Sequence, residues 1–361
     1  KNFENLFKNK ARKPENVLSD FHMDVARSIQ DVTEIIILKI CNHISKKNIS
    51  KNLCLAGGVA LNCVANTKIL KSKLFENIWI QPASGDAGGA IGAALLFWHK
   101  ELNNKKEIYS IKNDRMNGSY LGPMYDNDEI KKELDNLDAR YEYFNNSELI
   151  NTTAHKLTNG NVIGWFQGRM EFGPRSLGSR SILADPRNNE MQKKLNLKIK
   201  FRESFRPFAP SIIKESLTKW FDINCESPYM LLTSDILTKH KLPIDSKDNK
   251  LFGIEKLKVL RSNIPAVTHV DYSSRIQTVD EKNNYIFYSL IKEFEKITEV
   301  PILVNTSFNI RGEPIVCSPT DAFKCFMGTD MDILVIGNFI LDKKKQILNK
   351  NQDYKNKYEL D

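Results

Sequence analysis

The chain lacks most of the features that classify a protein at sight. No apolar run approaches the roughly 20 residues that cross a bilayer; the best contender, Ile35–Ile40, is far too short. The opening KNFENLFKNKARKPEN has no apolar core of a secretory signal, and without an initial Met the chain reads as a processed or truncated product. The 6 cysteines (Cys41, Cys54, Cys63, Cys225, Cys317, Cys325) stand far apart with no CxxC pair. That argues against a zinc site or disulfide framework and for a reducing cytoplasm. The sequence contains no HExxH, Walker loop, Ser–His–Asp arrangement or solenoid repeat.

What remains is the composition of a globular protein: 361 residues, 41% hydrophobic and 27% charged, long enough for two domains. The formal net charge of +9 admits a nucleic-acid partner. Much of the lysine, however, falls in Asn-rich polar segments at 103–106 and 343–357 that read as solvated surface. Direct nucleic-acid binding is therefore not expected.

Periodicity organises the first hundred residues. Phe21, Val25, Ile29, Val32, Ile36 and Ile40 recur at spacings of four and three, predicting a helix capped by Ser19 or Asp20. A strand at Asn52–Leu55 runs into Gly57-Gly58 and a helix to about Leu70. A second, Asn77–Ile80, runs into a glycine turn at 85–89 and a helix to about Trp98. Strand, glycine turn and helix, repeated, predict an α/β domain over 1–104 with its ligand at the strand ends. Polar residues 105–118 read as a linker, 119–342 as a second domain and 343–361 as a polar tail. In the second domain, helices are expected at 189–199 and Tyr285–Thr298, and one starting at Ser318. Strands are expected at Val162–Phe166, Pro301–Val304 and Ile333–Ile336. Lys239–Ser262 reads as a charged loop.

Candidate chemistry concentrates at Gly164–Arg187, GWFQGRMEFGPRSLGSRSILADPR. Arg169, Arg175, Arg180 and Arg187 stand among glycines and the buried-type Trp165, Phe166, Phe172 and Leu177. Guanidinium forks grip phosphate or carboxylate, and Gly168, Gly173 and Gly178 let backbone approach such an anion. Lys200, Arg202 and Arg206 continue the series. Some of these cations must instead pair with Glu171, Asp185 or Glu203; AspProArg at 185–187 reads as a turn held by local pairing. The glycine turns at 56–62 and 84–90 offer backbone N–H groups at helix starts, which favour phosphate, and Asp86 there suits a helix cap or a cation. Val304–Asn309 carries amides and hydroxyls at a strand end, suited to a carbamoyl group or ribose. His269 with Asp271 and Arg275 weighs more as structure than as catalyst.

Taken together, AGGVALNCVAN (56–66), SGDAGGAIGAAL (84–95), FQGRMEFGPRSLGSRSILADPR (166–187), FRPFAPSI (205–212), IPAVTHVD (264–271), VNTSFNIRGEPIVCSP (304–319) and DILVIG (332–337) resemble the O-carbamoyltransferases of nodulation and antibiotic tailoring. The resemblance implies a partial actin-like (ASKHA-type) domain followed by a YrdC-like α/β domain. It implies ATP and carbamoyl phosphate as substrates, a carbamoyl-adenylate, and transfer to a hydroxyl of a small-molecule or sugar acceptor, in a cytoplasmic homodimer. Arg169, Arg175, Lys200, Arg202 and Arg206 would contact phosphate or carbamoyl. Asn305, Ser307 and Asn309 would shape the pocket, Gly57, Gly58 and Asn62 would receive the adenylate, and Asp86 would ligate a divalent metal, iron by resemblance. The family's HxxxH ligands have no counterpart: His22 is followed at the fourth position by Ala26 and His43 by Lys47. The expectation is thus a carboxy-terminal part that forms the adenylate without completing transfer. Alternatives are a nucleotide-binding subunit that pairs with a separate amino-terminal half, and a tRNA-modifying protein of related fold. Thr67 and Tyr272, where the family tends to have glycine, predict only local change.

Overall fold

The computed structural model describes residues 2–13, 16–106, 114–347 and 354–359. Part of the expected linker (107–113) and part of the expected tail (348–353, 360–361) lie outside the described residues.

Both strand–turn–helix units form. The Asp20–Lys46 helix starts at Ser19 in a capping box with His22. Strand β1 (Asn52–Leu55) pairs in parallel with β2 (Asn77–Ile80), Leu53 opposite Ile78. Between them a 3-10 turn, Gly58–Leu61, leads into the Cys63–Ser72 helix. After β2 the Asp86–Leu96 helix continues as a π turn to Glu101.

The rest of the chain builds one mixed sheet. Its strands are β3 (Glu142–Tyr143), β4 (Ile163–Phe166), β5 (Arg180–Ala184), β6 (Ala209–Ile213), β7 (Leu232–Asp235), β8 (Ser273–Val279), β9 (Ile302–Ser307), β10 (Ile333–Ile336) and β11 (Phe339–Asp342). They lie in the order β3-β11-β10-β4-β5-β9-β6-β8-β7. Only β10–β4 and β6–β8 are parallel pairs. Strands β4, β5, β6 and β10 are buried at every position, the apolar runs of β4 and β10 together with Arg180, Ser181 and Ser211 on β5 and β6. The Tyr285–Thr298 helix covers one face by burying Phe287, Leu290, Ile291 and Phe294, spaced three, four and seven apart. Each such side chain contributes about 2 kcal/mol of burial. The helix at 189–199 divides into an α turn, Met191–Lys194, and a π turn, Leu195–Ile199.

The amino-terminal unit docks against β7. Thr67 Oγ1 accepts from Thr233 N at 2.7 Å and lies 3.1 Å from its carbonyl, while Asn66 Nδ2 donates to Leu231 O at 3.1 Å. Thr67 is thus a joint between the units. Tyr272 holds a φ of 65°, left-handed backbone in which glycine would be unstrained.

Two expectations need correction. The apolar stripe of the long helix does not face a core: Ile29, Val32, Ile36 and Ile40 are exposed. The helix instead packs through Glu34, Ile37, Leu38 and Cys41, with Glu34 bound by Lys68 and Gln30. Nor is the tail solvated throughout, because Tyr354 enters the main core.

Candidate anion site

The loop between β4 and β5 holds its shape through two buried charges. Glu171 accepts from Leu177 N at 2.6 Å and Ser179 N at 2.8 Å. Burial raises its pKa, opposed by these bonds and by Arg180. The Arg180 guanidinium lies 3.5 Å over the Phe166 ring and donates to the carbonyls of Gln167 and Gly168. Burial lowers its pKa to about 10, with Glu171 opposing. Arg187 grips Asp185 through two nitrogens, the local pairing expected of that turn. Arg180 and Arg187 are therefore scaffold. Arg169 is exposed and donates to Gly122 O at 3.1 Å.

Arg175 leaves this loop for the junction of the two units. Its Nη2 donates to Leu61 O, in the glycine turn, at 3.2 Å, and its buried Nε has no partner. Arg275, from β8, adds a second guanidinium whose Nε is likewise unpartnered. Burial and Arg175 lower the Arg275 pKa to about 10. Burial also lowers that of Arg175, against the opposing influence of Cys63. Arg202 is lowered to about 10 by burial, then by Arg206 and Arg275, while Glu203 opposes. Glu203 is shared by Arg206 at 3.2 Å and Arg12 at 3.9 Å. Among the described residues, neither Arg175 nor Arg275 has an ion-pair partner. Desolvated cations gathered without counter-charge favour binding a polyanion.

Lys200 lies beside this group in a cage of acceptors. Its Nζ lies within hydrogen-bonding reach of Ser307 O, Ser307 Oγ (3.1 Å), Asn309 O (2.9 Å) and Asn309 Oδ1 (2.8 Å), four acceptors for three N–H groups. Burial and then Arg202 push its pKa down to about 7, with Cys325 and Glu313 opposing. The structure thus brings Lys200, Ser307 and Asn309 together. Asn305 sits apart, wholly buried on β9, with Nδ2 within hydrogen-bonding reach of Ser176 O, Ser211 Oγ and Gln277 Oε1. Through Ser176 it fixes the root of the Arg175 loop.

On the amino-terminal side, Gly57 (φ 92°) and Gly58 are exposed, and a Cβ at either would meet open space. That leaves room for a ligand above the turn. Asn62 is already committed: Oδ1 caps the following helix through Ala65 N at 3.1 Å, and Nδ2 donates to Gln30. Asp86 is exposed at the first turn of its helix. Among the described residues no group of three His, Cys, Asp or Glu side chains is placed to hold a metal ion. One exposed carboxylate does not fit a catalytic metal, which takes about three protein ligands.

A cleft of about 1480 Å³ lies between β2 and the loops around Tyr229 and Asp280 and contains none of the predicted residues. Its lining mixes acids (Asp114, Glu226, Asp280, Glu281) with cations (Arg115, Lys214, Lys282), so it gathers no excess positive charge for a phosphate. Sequence reasoning noted Arg275 but did not place it in the site. Its signal was the alternation Ser273, Arg275, Gln277 along one strand face.

Comparison with known proteins follows this layout. Residues 154–343 match the family description "Carbamoyltransferase C-terminus", and residues 1–95 match "Carbamoyltransferase N-terminus". An uncharacterized protein of Synechocystis is 52% identical over 100% of this chain and 59% of its own length. Nodulation protein NolO of Bradyrhizobium diazoefficiens is 39% identical over 90% of this chain and 55% of its own. Nodulation protein U of Sinorhizobium fredii is 30% identical over 88% and 49%. The chain spans about half the length of the curated relatives it matches. A solved structure titled "Crystal structure of T.kodakarensis HypF" aligns with 56% of this chain and 22% of that one, at 16% identity and a TM-score of 0.32. So slight a likeness bears no weight here.

Proposed function

The chain belongs to the carbamoyltransferase family, and from that premise we propose that it carries the donor-activating site of an ATP-dependent O-carbamoyltransferase. The observation that carries this reading is the pairing of Arg175 with Arg275, two partly buried guanidiniums with no acid partner among the described residues, linked to Lys200 through Arg202. Two phosphorylated substrates, carbamoyl phosphate and ATP, would supply the missing negative charge. The sequence of bonds is carbamoyl phosphate plus water giving carbamate and phosphate. The carbamate oxygen then attacks the α-phosphorus of ATP and expels pyrophosphate. An acceptor hydroxyl finally displaces AMP from the carbamoyl-adenylate. Arg175 and Arg275 would stabilise charge on the phosphoryl oxygens, where prealigned cations act most strongly. Arg175 also touches the glycine turn at Leu61, so the adenylate would form within reach of Gly57 and Gly58. The ASKHA-type and YrdC-like identities of the two units belong to this reading. The described residues do not assemble a site for a metal ion.

The test is carbamoyl-phosphate-dependent pyrophosphate release from ATP. Arg175→Ala is expected to lower it about a hundredfold or more while circular dichroism and the unfolding midpoint stay near the parent's. Undiminished release in that variant would sink the assignment.

A second reading rests on the uncovered stripe Ile29, Val32, Ile36 and Ile40. In it, the chain acts as a subunit whose apolar face is covered by polypeptide equivalent to the unmatched part of its relatives.

A further inference from the structure

The carboxy-terminal segment Tyr354–Glu359 lies over the turn that carries Asn309. Tyr354 is 5% exposed, and its ring rests directly on the backbone of Gly328, where a Cβ would overlap it. Its hydroxyl donates to Glu313 Oε1, and the Tyr358 hydroxyl reaches the same oxygen at 3.3 Å. The other carboxylate oxygen of Glu313 accepts from Ile310 N at 2.8 Å, and the Glu313 carbonyl accepts from Asn309 Nδ2 at 2.6 Å. Asn309 in turn supplies two of the acceptors around Lys200 Nζ. A continuous run of hydrogen bonds therefore joins the tail to the buried ammonium.

The partners are matched to one another. Glu313 is 7% exposed, so its carboxylate depends on the two phenols, the Cys325 thiol and one backbone N–H for the bonds water would otherwise give. Gly312, at φ 77°, passes so close to the Glu359 carbonyl that no side chain fits between them. Lys355 and Lys357 extend the contact, over Phe201 and over the Tyr354 and Tyr358 rings.

We propose that Tyr354–Glu359 is a strap that fixes the Asn309–Glu313 turn, and that Tyr354 is a positioning residue acting on Lys200 through Glu313. The inference builds on the donor-site reading above and adds a residue that touches no substrate. Without the strap, the turn loses its external hold, the Lys200 cage loosens and water enters.

Two variants of the full chain probe this. Tyr354→Phe keeps the ring and removes one donated hydrogen bond. Gly328→Ala, at a φ of −81° that any residue adopts, displaces the ring and leaves the tail sequence intact. Amine acetylation across pH, read by mass spectrometry on the peptides containing Lys200 and Lys194, reports the cage. Lys194 pairs with Asp332 and serves as the internal control. In both variants the half-reaction pH of Lys200 is expected to move up toward that of an ordinary lysine, and at alkaline pH, where the amine is free in parent and variant alike, Lys200 is expected to react about fivefold faster, while Lys194 is unchanged. Parental Lys200 rates and pH profile in both variants, or equal acceleration of Lys194, would overturn the strap. Calorimetric titration with carbamoyl phosphate runs in parallel. A parent chain that binds none overturns the donor-site reading, and the acetylation result still decides the strap.

Discussion

Around the junction, titratable side chains crowd together while partly buried. Arg175 and Arg275 are the clearest pair, and His269 shares their surroundings. Its Nδ1 lies 3.0 Å from Ser273 Oγ. Burial pushes its pKa down from 6.5 to about 4, Asp271 opposing and Arg275 adding. The folded state therefore binds fewer protons than the unfolded state between those values, and stability falls as pH falls. The contribution is complete above about pH 6.5 and lost on approaching pH 4. In urea titrations, His269→Gln is expected to remove about 1–2 kcal/mol of the stability lost across that window. An unchanged slope in the variant would show that other groups govern it. The places of Arg275 in the site and of Tyr354 in the core were hidden from sequence reading for a shared reason. One is a single cation on a strand, the other an aromatic in a polar tail, and neither gains meaning until distant chain is brought beside it.

Local elements followed their patterns closely. Strands β1, β2 and β10 and the Tyr285–Thr298 helix have the bounds that periodicity gives them. Ser318 caps its helix in a box with Asp321, as the Ser-Pro-Thr-Asp order implies. Such features depend on neighbours in sequence, so sequence displays them. The arginine loop is different, because its glycines serve contacts made across the fold. Gly178, at φ 104°, sits where a Cβ would overlap the Phe287 ring of the covering helix. Gly178→Ala combines left-handed strain with overpacking and is expected to cost about 3 kcal/mol in chemical denaturation. A loss within about 0.5 kcal/mol would mean that the helix shifts freely, against the close packing described here.

Over the whole molecule, the two units differ in how completely they bury apolar surface. The large sheet is covered, whereas Ile36 on the long helix is 51% exposed and Trp98 is 52% exposed. Faces of this kind mark interaction surfaces. Coexpression with the unmatched portion of the 52%-identical relative is expected to yield a one-to-one complex. Ile36→Lys should weaken it about tenfold or more without lowering the chain's own unfolding midpoint. Absence of any complex would count against the subunit reading. No helix among the described residues is long and apolar enough to cross a membrane, so the exposed stripe is not such a span.

The sequence by itself determined the two strand–turn–helix units, the bounds of β1, β2, β10 and the Tyr285–Thr298 helix, and the family, because periodicity, capping and collinear motifs are written in adjacent residues. It also marked the arginine-rich loop as the place for an anion. Tertiary structure alone decided which cations stay available. Arg180 and Arg187 are consumed by the scaffold, Asn62 by a helix cap and Asn305 by the sheet, while Arg175 meets Arg275 across more than ninety residues of chain. Burial and counter-charge are properties of the assembled surroundings, and no local pattern records them.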